Sequence, residues 1–144
     1  ETTVGLEELS DAGELERKPP SKNEINGLIK KARRKLADAG SDSISPETRL
    51  EQAYNVILTC AIAALAASGY RIISRTATHY TAIETLRNTL GVDEDKIDYY
   101  QSLRALRHRD IYEPEIHIDI DDMILAIKEA QAILDKLESW LSQR

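Results

Sequence analysis

The run Ala53-Tyr54-Asn55-Val56-Ile57-Leu58-Thr59-Cys60-Ala61-Ile62-Ala63-Ala64-Leu65-Ala66-Ala67 is the most apolar stretch of the chain. It is expected to be too short to span a bilayer, and Tyr, Asn, Thr and Cys are spread through it. Its second half is apolar on nearly every side of a helix. Such a helix is buried, so it predicts the centre of a helical bundle. Ser45-Pro46 supplies an N-cap and a first-turn proline ahead of it, and Gly69 ends it.

Working outward, paired prolines at 19 and 20 set a firm boundary. Residues 1–20 are expected to form an arm in which Leu6, Leu9 and Leu15 dock a weak helical turn or two, and residues 21–144 a single domain. Ser21 and Glu24 predict a capping box. The helix that follows carries Ile25, Leu28, Ile29, Ala32 and Leu36 on one face and Lys30, Lys31, Arg33, Arg34 and Lys35 around the rest, with Gly40 as its stop. That basic run reads foremost as a solvated face and secondarily as a phosphate-backbone track. Thr78 is expected to cap a short third helix holding His79, Ile83, Leu86 and Leu90. Asp93, Glu94 and Asp95 open a fourth, which Pro114 ends. Ile116, Ile118 and Ile120 alternate with polar residues, but with no partner strand in view the segment is expected to be loop. A last helix from Asp119 or Asp121 keeps three–four spacing through Met123, Ile127, Ala130, Leu134, Leu137 and Leu141. The prediction is an all-α, antiparallel up-and-down bundle of about five helices.

Composition agrees. The chain has 144 residues, 42% hydrophobic and 31% charged, with no Phe and one Trp, so aliphatic side chains must build the core. A net charge of -6 argues against a general nucleic-acid coat and leaves room for a small basic pocket. The lone Cys60 excludes an intramolecular disulfide and a cysteine-rich zinc site. The first twenty residues lack the apolar region of a secretory signal. A reducing cytoplasmic setting, no membrane, no metal and no cofactor are the expectations.

Against that acidic background stands Leu103-Arg104-Ala105-Leu106-Arg107-His108-Arg109-Asp110-Ile111-Tyr112-Glu113-Pro114. Helical spacing stacks Arg104, His108 and Tyr112 in one row, with Arg107 beside them. Guanidinium groups bind phosphate by charge-assisted hydrogen bonds, and an imidazole moves protons near neutral pH. Arg104 and Arg107 are the phosphate-binding candidates, and Arg107, His108 and Tyr112 the catalytic ones. The structural alternative pairs the arginines with Asp110 or Glu113. Ile97, Tyr100 and Ile111 share that face and are expected at a dimer interface. His79 is expected to pack rather than act, and Asp119, Asp121 and Asp122 to serve the start of a helix.

Ala53-Tyr54-Asn55, Gly69-Tyr70-Arg71, His79-Tyr80-Thr81-Ala82-Ile83 and the Arg104–Glu113 stretch together resemble the HEPN family over roughly residues 21–142. The chain especially resembles small bacterial members with an Arg-x-x-Arg-Asn-x-x-x-Tyr-Asp pattern, read here as Arg104, Arg107, His108, Tyr112 and Glu113. The resemblance implies a homodimeric helical bundle. It also implies metal-independent ribonuclease activity from paired Arg-x(4–6)-His motifs, and service as a toxin paired with a nucleotidyltransferase antitoxin. This chain departs from the pattern. After four intervening residues Arg107 is followed by Tyr112 in place of histidine, His108 follows Arg104 too closely, and His117 lies past Pro114. Tyr112 then orients phosphate or is modified by a partner enzyme. Three readings stay open: a bundle acting on or binding RNA or nucleotide, a catalytically silent protein- or nucleotide-binding module, and a purely structural helical protein that self-associates through Ile97, Tyr100 and Ile111.

Overall fold

A computed structural model describes residues 4–144; the first three residues of the expected arm lie outside them. The order is α1 (Leu6–Asp11), β1 (Leu15–Arg17), α2 (Lys22–Ala39), α3 (Pro46–Ala67), β2 (Tyr70–Ile72), α4 (Thr78–Glu84), α5 (Leu86–Thr89), α6 (Glu94–Tyr112) and α7 (Ile120–Ser142). The architecture is the expected all-α bundle.

The long helices begin where capping chemistry places them. Ser21 Oγ accepts from Glu24 N, Ser45 Oγ from Thr48 N, Asp93 Oδ1 from Lys96 N and Asp119 Oδ1 from Asp121 N. The box at α2 closes on one side only, because the Glu24 carboxylate accepts instead from Lys18 Nζ at 2.7 Å. Thr78 is the first residue of α4 rather than its cap. Ala77 holds that place in the left-handed region, at φ 55°.

α3 is the axis of the molecule. Leu50, Ala53, Tyr54, Val56, Ile57, Cys60, Ala61, Ala63 and Ala64 are all buried, and α2, α4, α6 and α7 pack around it. Buried Ala32 and Ala39 on α2 let that helix approach closely. From α7, Met123, Ala126, Ala130, Ile133, Leu134 and Leu137 close the core. By length and composition α3 is apolar enough to cross a membrane, contrary to the expectation from its inner run. Two-thirds of that apolar window (67%) is buried inside the protein, as the core helix of a bundle requires.

The arm and the connector after α3 depart from expectation. They form a two-stranded antiparallel sheet with Leu15 opposite Ile72, Glu16 opposite Arg71 and Arg17 opposite Tyr70. Gly69, at φ +88°, reverses the chain as a residue with a Cβ does not readily do. Its carbonyl then accepts from Lys18 N at 2.8 Å. Leu15 is driven inward onto Leu65 and Tyr70, and pairing satisfies the backbone groups that this burial strips of water. The stretch from Ile116 to Asp119 is loop, as expected.

Candidate functional site

The apolar-and-basic face of α6 divides along the helix. Its first half meets α3, α4 and α5, so Ile97 (0% exposed) and Tyr100 (3%) are core residues. This corrects their expected place at a dimer interface. A face that looks mixed on a helical projection is apolar where neighbours cover it and basic where cover ends. Ile111, beyond that cover, is exposed.

Arg104 and Arg107 mark the boundary, and both turn inward. Arg104 Nε donates to Gln101 Oε1 at 2.8 Å, and its guanidinium lies 5.6 Å from the centre of the Tyr80 ring. The Arg107 guanidinium lies 5.8 Å from the Tyr54 ring. Its nearest carboxylate is Glu51 on α3, with Oε2 3.5 Å from Nε. That approach is an ion pair without hydrogen-bond geometry, so the buried Nε has no hydrogen-bond partner. Neither arginine is held by Asp110 or Glu113; Glu113 accepts from Arg109 Nε at 2.9 Å.

The imidazole that joins these arginines comes from α4. His79 Nδ1 is 3.2 Å from the hydroxyl of Tyr54, a fully buried side chain of α3. Desolvation first, then the positive charges of Arg107 and Arg104, push the His79 pKa below its ordinary value. The ring is therefore neutral at neutral pH. Desolvation raises the Tyr54 phenol to about 12 against the opposing pull of Arg107 and Arg104. A protonated phenol needs an acceptor, and His79 is the partner the structure gives it. With Tyr54 O–H donating to Nδ1, the imidazole proton resides on Nε2, which becomes a donor. Two guanidinium groups and a neutral imidazole N–H thus gather at one edge of the bundle, with Glu51 as the neighbouring acid.

His108 and Tyr112 stand apart from this cluster. Their rings are 4.7 Å apart and tilted by 48°, and Tyr112 is 71% exposed. The expected row therefore splits, with Arg104 directed to α4 and the His108–Tyr112 pair open to solvent. His79 and Tyr54 were missed as site residues because they sit 25 to 53 positions from the arginines. Ala53-Tyr54-Asn55 and His79-Tyr80, both within the family resemblance, were the available signals.

Tyr80 also lines a groove of about 610 Å³, together with Leu9, Glu14, Thr81, Glu84 and Arg87, among others. The Asp119, Asp121 and Asp122 group serves the start of α7, as expected. A scan of the chain against protein-family models finds no match, and neither does a search of curated proteins.

Proposed function

We propose that the Arg104–Arg107–His79 cluster binds a phosphate of RNA or of a nucleotide, within a HEPN-like bundle. The observation that carries this reading is the buried Arg107 Nε, which lacks a hydrogen-bond partner while lying beside a second guanidinium and a neutral imidazole. A buried donor left unpaired costs about 1–3 kcal/mol. A phosphate oxygen would recover that cost and accept from Arg104 and His79 Nε2 as well.

The same geometry favours binding over proton abstraction. A general base needs a bare nitrogen, and Nε2 carries the proton while Tyr54 donates to Nδ1. Ribonuclease action is the second reading, and the lowered His79 pKa favours it. Transfer of the imidazole proton from Nε2 to Nδ1 through solvent, with the Tyr54 hydroxyl turned to accept from Nδ1–H, frees Nε2 to accept a ribose 2′-proton. The 2′-oxygen then bonds to phosphorus as the 5′-oxygen leaves with a proton from water.

The test measures binding and cleavage of single-stranded RNA by the wild type and by Arg107→Ala. Binding that falls about tenfold or more in the variant supports the phosphate site. Equal affinities overturn it. Cleavage in the wild type that disappears in Arg107→Ala and His79→Ala supports the enzymatic reading.

Self-association is proposed at the far end of α6 and the start of α7. Ile111, Ile120, Ile124 and Leu125 are exposed there, in place of the buried Ile97 and Tyr100. Light scattering at micromolar concentration tests it, with a dimer in the wild type and a monomer in Ile120→Asp/Ile124→Asp as the supporting result.

A further inference from the structure

Tyr80 belongs to both the cationic cluster, through the Arg104 guanidinium 5.6 Å from its ring centre, and the lining of the groove of about 610 Å³. Its side chain is 45% exposed, with the Arg104 guanidinium set against the ring. A hydrogen-bonded chain links the two regions. Arg104 donates to Gln101, Gln101 Nε2 donates to the Tyr80 carbonyl and to Glu84 Oε2, and Arg87 joins Glu84 to Glu94.

The electrostatics of the two sides differ. The cluster is cationic, whereas the groove is lined by Glu14, Glu84 and Glu94 against the single cation Arg87. Glu84 and Glu94 are paired with Arg87 at 2.7 and 2.5 Å. The Glu14 carboxylate has no hydrogen-bond or ionic partner among the described residues. A second phosphate is repelled from such a groove, and a neutral, flat group with donors at its edge is accepted. The size suits a small-molecule site.

We propose that this groove is a nucleobase subsite, with Tyr80 as its stacking platform and Glu14 as its hydrogen-bond acceptor. The base belongs to the nucleotide whose phosphate Arg104 and Arg107 hold, so the inference rests on the phosphate reading above. Every base has a face that stacks on an aromatic ring. Guanine is the base whose pairing edge sets two donors side by side, matching the two oxygens of a carboxylate. The subsite therefore prefers guanine.

The experiment is an NMR titration of the full chain with guanosine 5′-monophosphate, adenosine 5′-monophosphate, guanosine and ribose 5-phosphate. The expected result is guanosine 5′-monophosphate binding at least about fivefold more tightly than ribose 5-phosphate. Tyr80→Ala abolishes that advantage and Tyr80→Phe retains it, which separates lost stacking from lost folding. Glu14→Gln removes the preference over adenosine 5′-monophosphate. Equal binding of guanosine 5′-monophosphate and ribose 5-phosphate, no binding of the former, or indifference to Tyr80→Ala overturns the subsite. If guanosine binds as well as its monophosphate and Arg107→Ala changes nothing, the phosphate reading falls while the groove stands.

Discussion

His79 Nδ1 lies 3.2 Å from the hydroxyl of Tyr54, joining the first turn of α4 to the middle of α3. The contact suits a neutral imidazole, because protonation at Nδ1 removes the acceptor that the buried phenol requires. The folded-state pKa of His79 is lowered, so the unfolded chain takes up its proton first as pH falls. Stability thus rises with pH up to the unfolded value near 6.5 and declines on acidification below it. A lower Tm at pH 6 than at pH 7.5, with a shallower dependence in His79→Gln, is the expected calorimetric result.

Glu51 competes with any anion for Arg107. Its carboxylate stands 3.5 Å from Nε with both side chains partly exposed, so the pair contributes about 0–1 kcal/mol to stability. Glu51→Gln is expected to leave Tm within a few degrees of the wild type. It should tighten binding of inorganic phosphate by about two- to fivefold, the equivalent of that energy. Titration of both proteins with phosphate at fixed ionic strength checks the direction.

Cys60 is buried in α3, and burial, with a smaller contribution from Glu138, raises its thiol to about 12. The thiolate is the reactive form. Ellman's reagent is expected to leave the native protein unmodified and to titrate one thiol in denaturant. Rapid reaction of the native protein at neutral pH counts against this packing of α3.

Ile57 and Ile120 measure the contrast between axis and surface. Ile57→Ala empties a fully buried position and is expected to cost about 2–5 kcal/mol. Ile120→Ala removes an exposed side chain and is expected to change stability by about 0.5 kcal/mol or less in the monomer. Urea unfolding of the two variants reports both values.

The parts legible in the sequence were those encoded by local chemistry. Ser21, Ser45, Asp93 and Asp119 each announced a helix start through side-chain capping, and the apolar run of α3 announced the core. Two features were not legible. β1 and β2 are three residues each, too short for an alternating pattern, and neither has a strand's identity until Gly69 turns the chain beside Leu15. The candidate site depends on which helices meet. Arg104 and Arg107 stood out as cations, but the imidazole beside them belongs to α4 and its phenol partner to α3. His108, nearer in sequence, is carried to the open side by the same helical rotation that turns Arg107 inward.

The ladder between β1 and β2 has a consequence for motion. Leu15, Leu65 and Tyr70 form a cluster of their own, separate from the main core, and Ile72 touches both. Residues bound by so few contacts open at lower free energy than a bundle's axis. Amide protons in the ladder should therefore trade with deuterated solvent well before those of α3. Glu14 adjoins β1, and its carbonyl accepts from Ile73 N at 3.0 Å. One rim of the groove thus adjoins the ladder, and the opposite rim belongs to α4 and the start of α6.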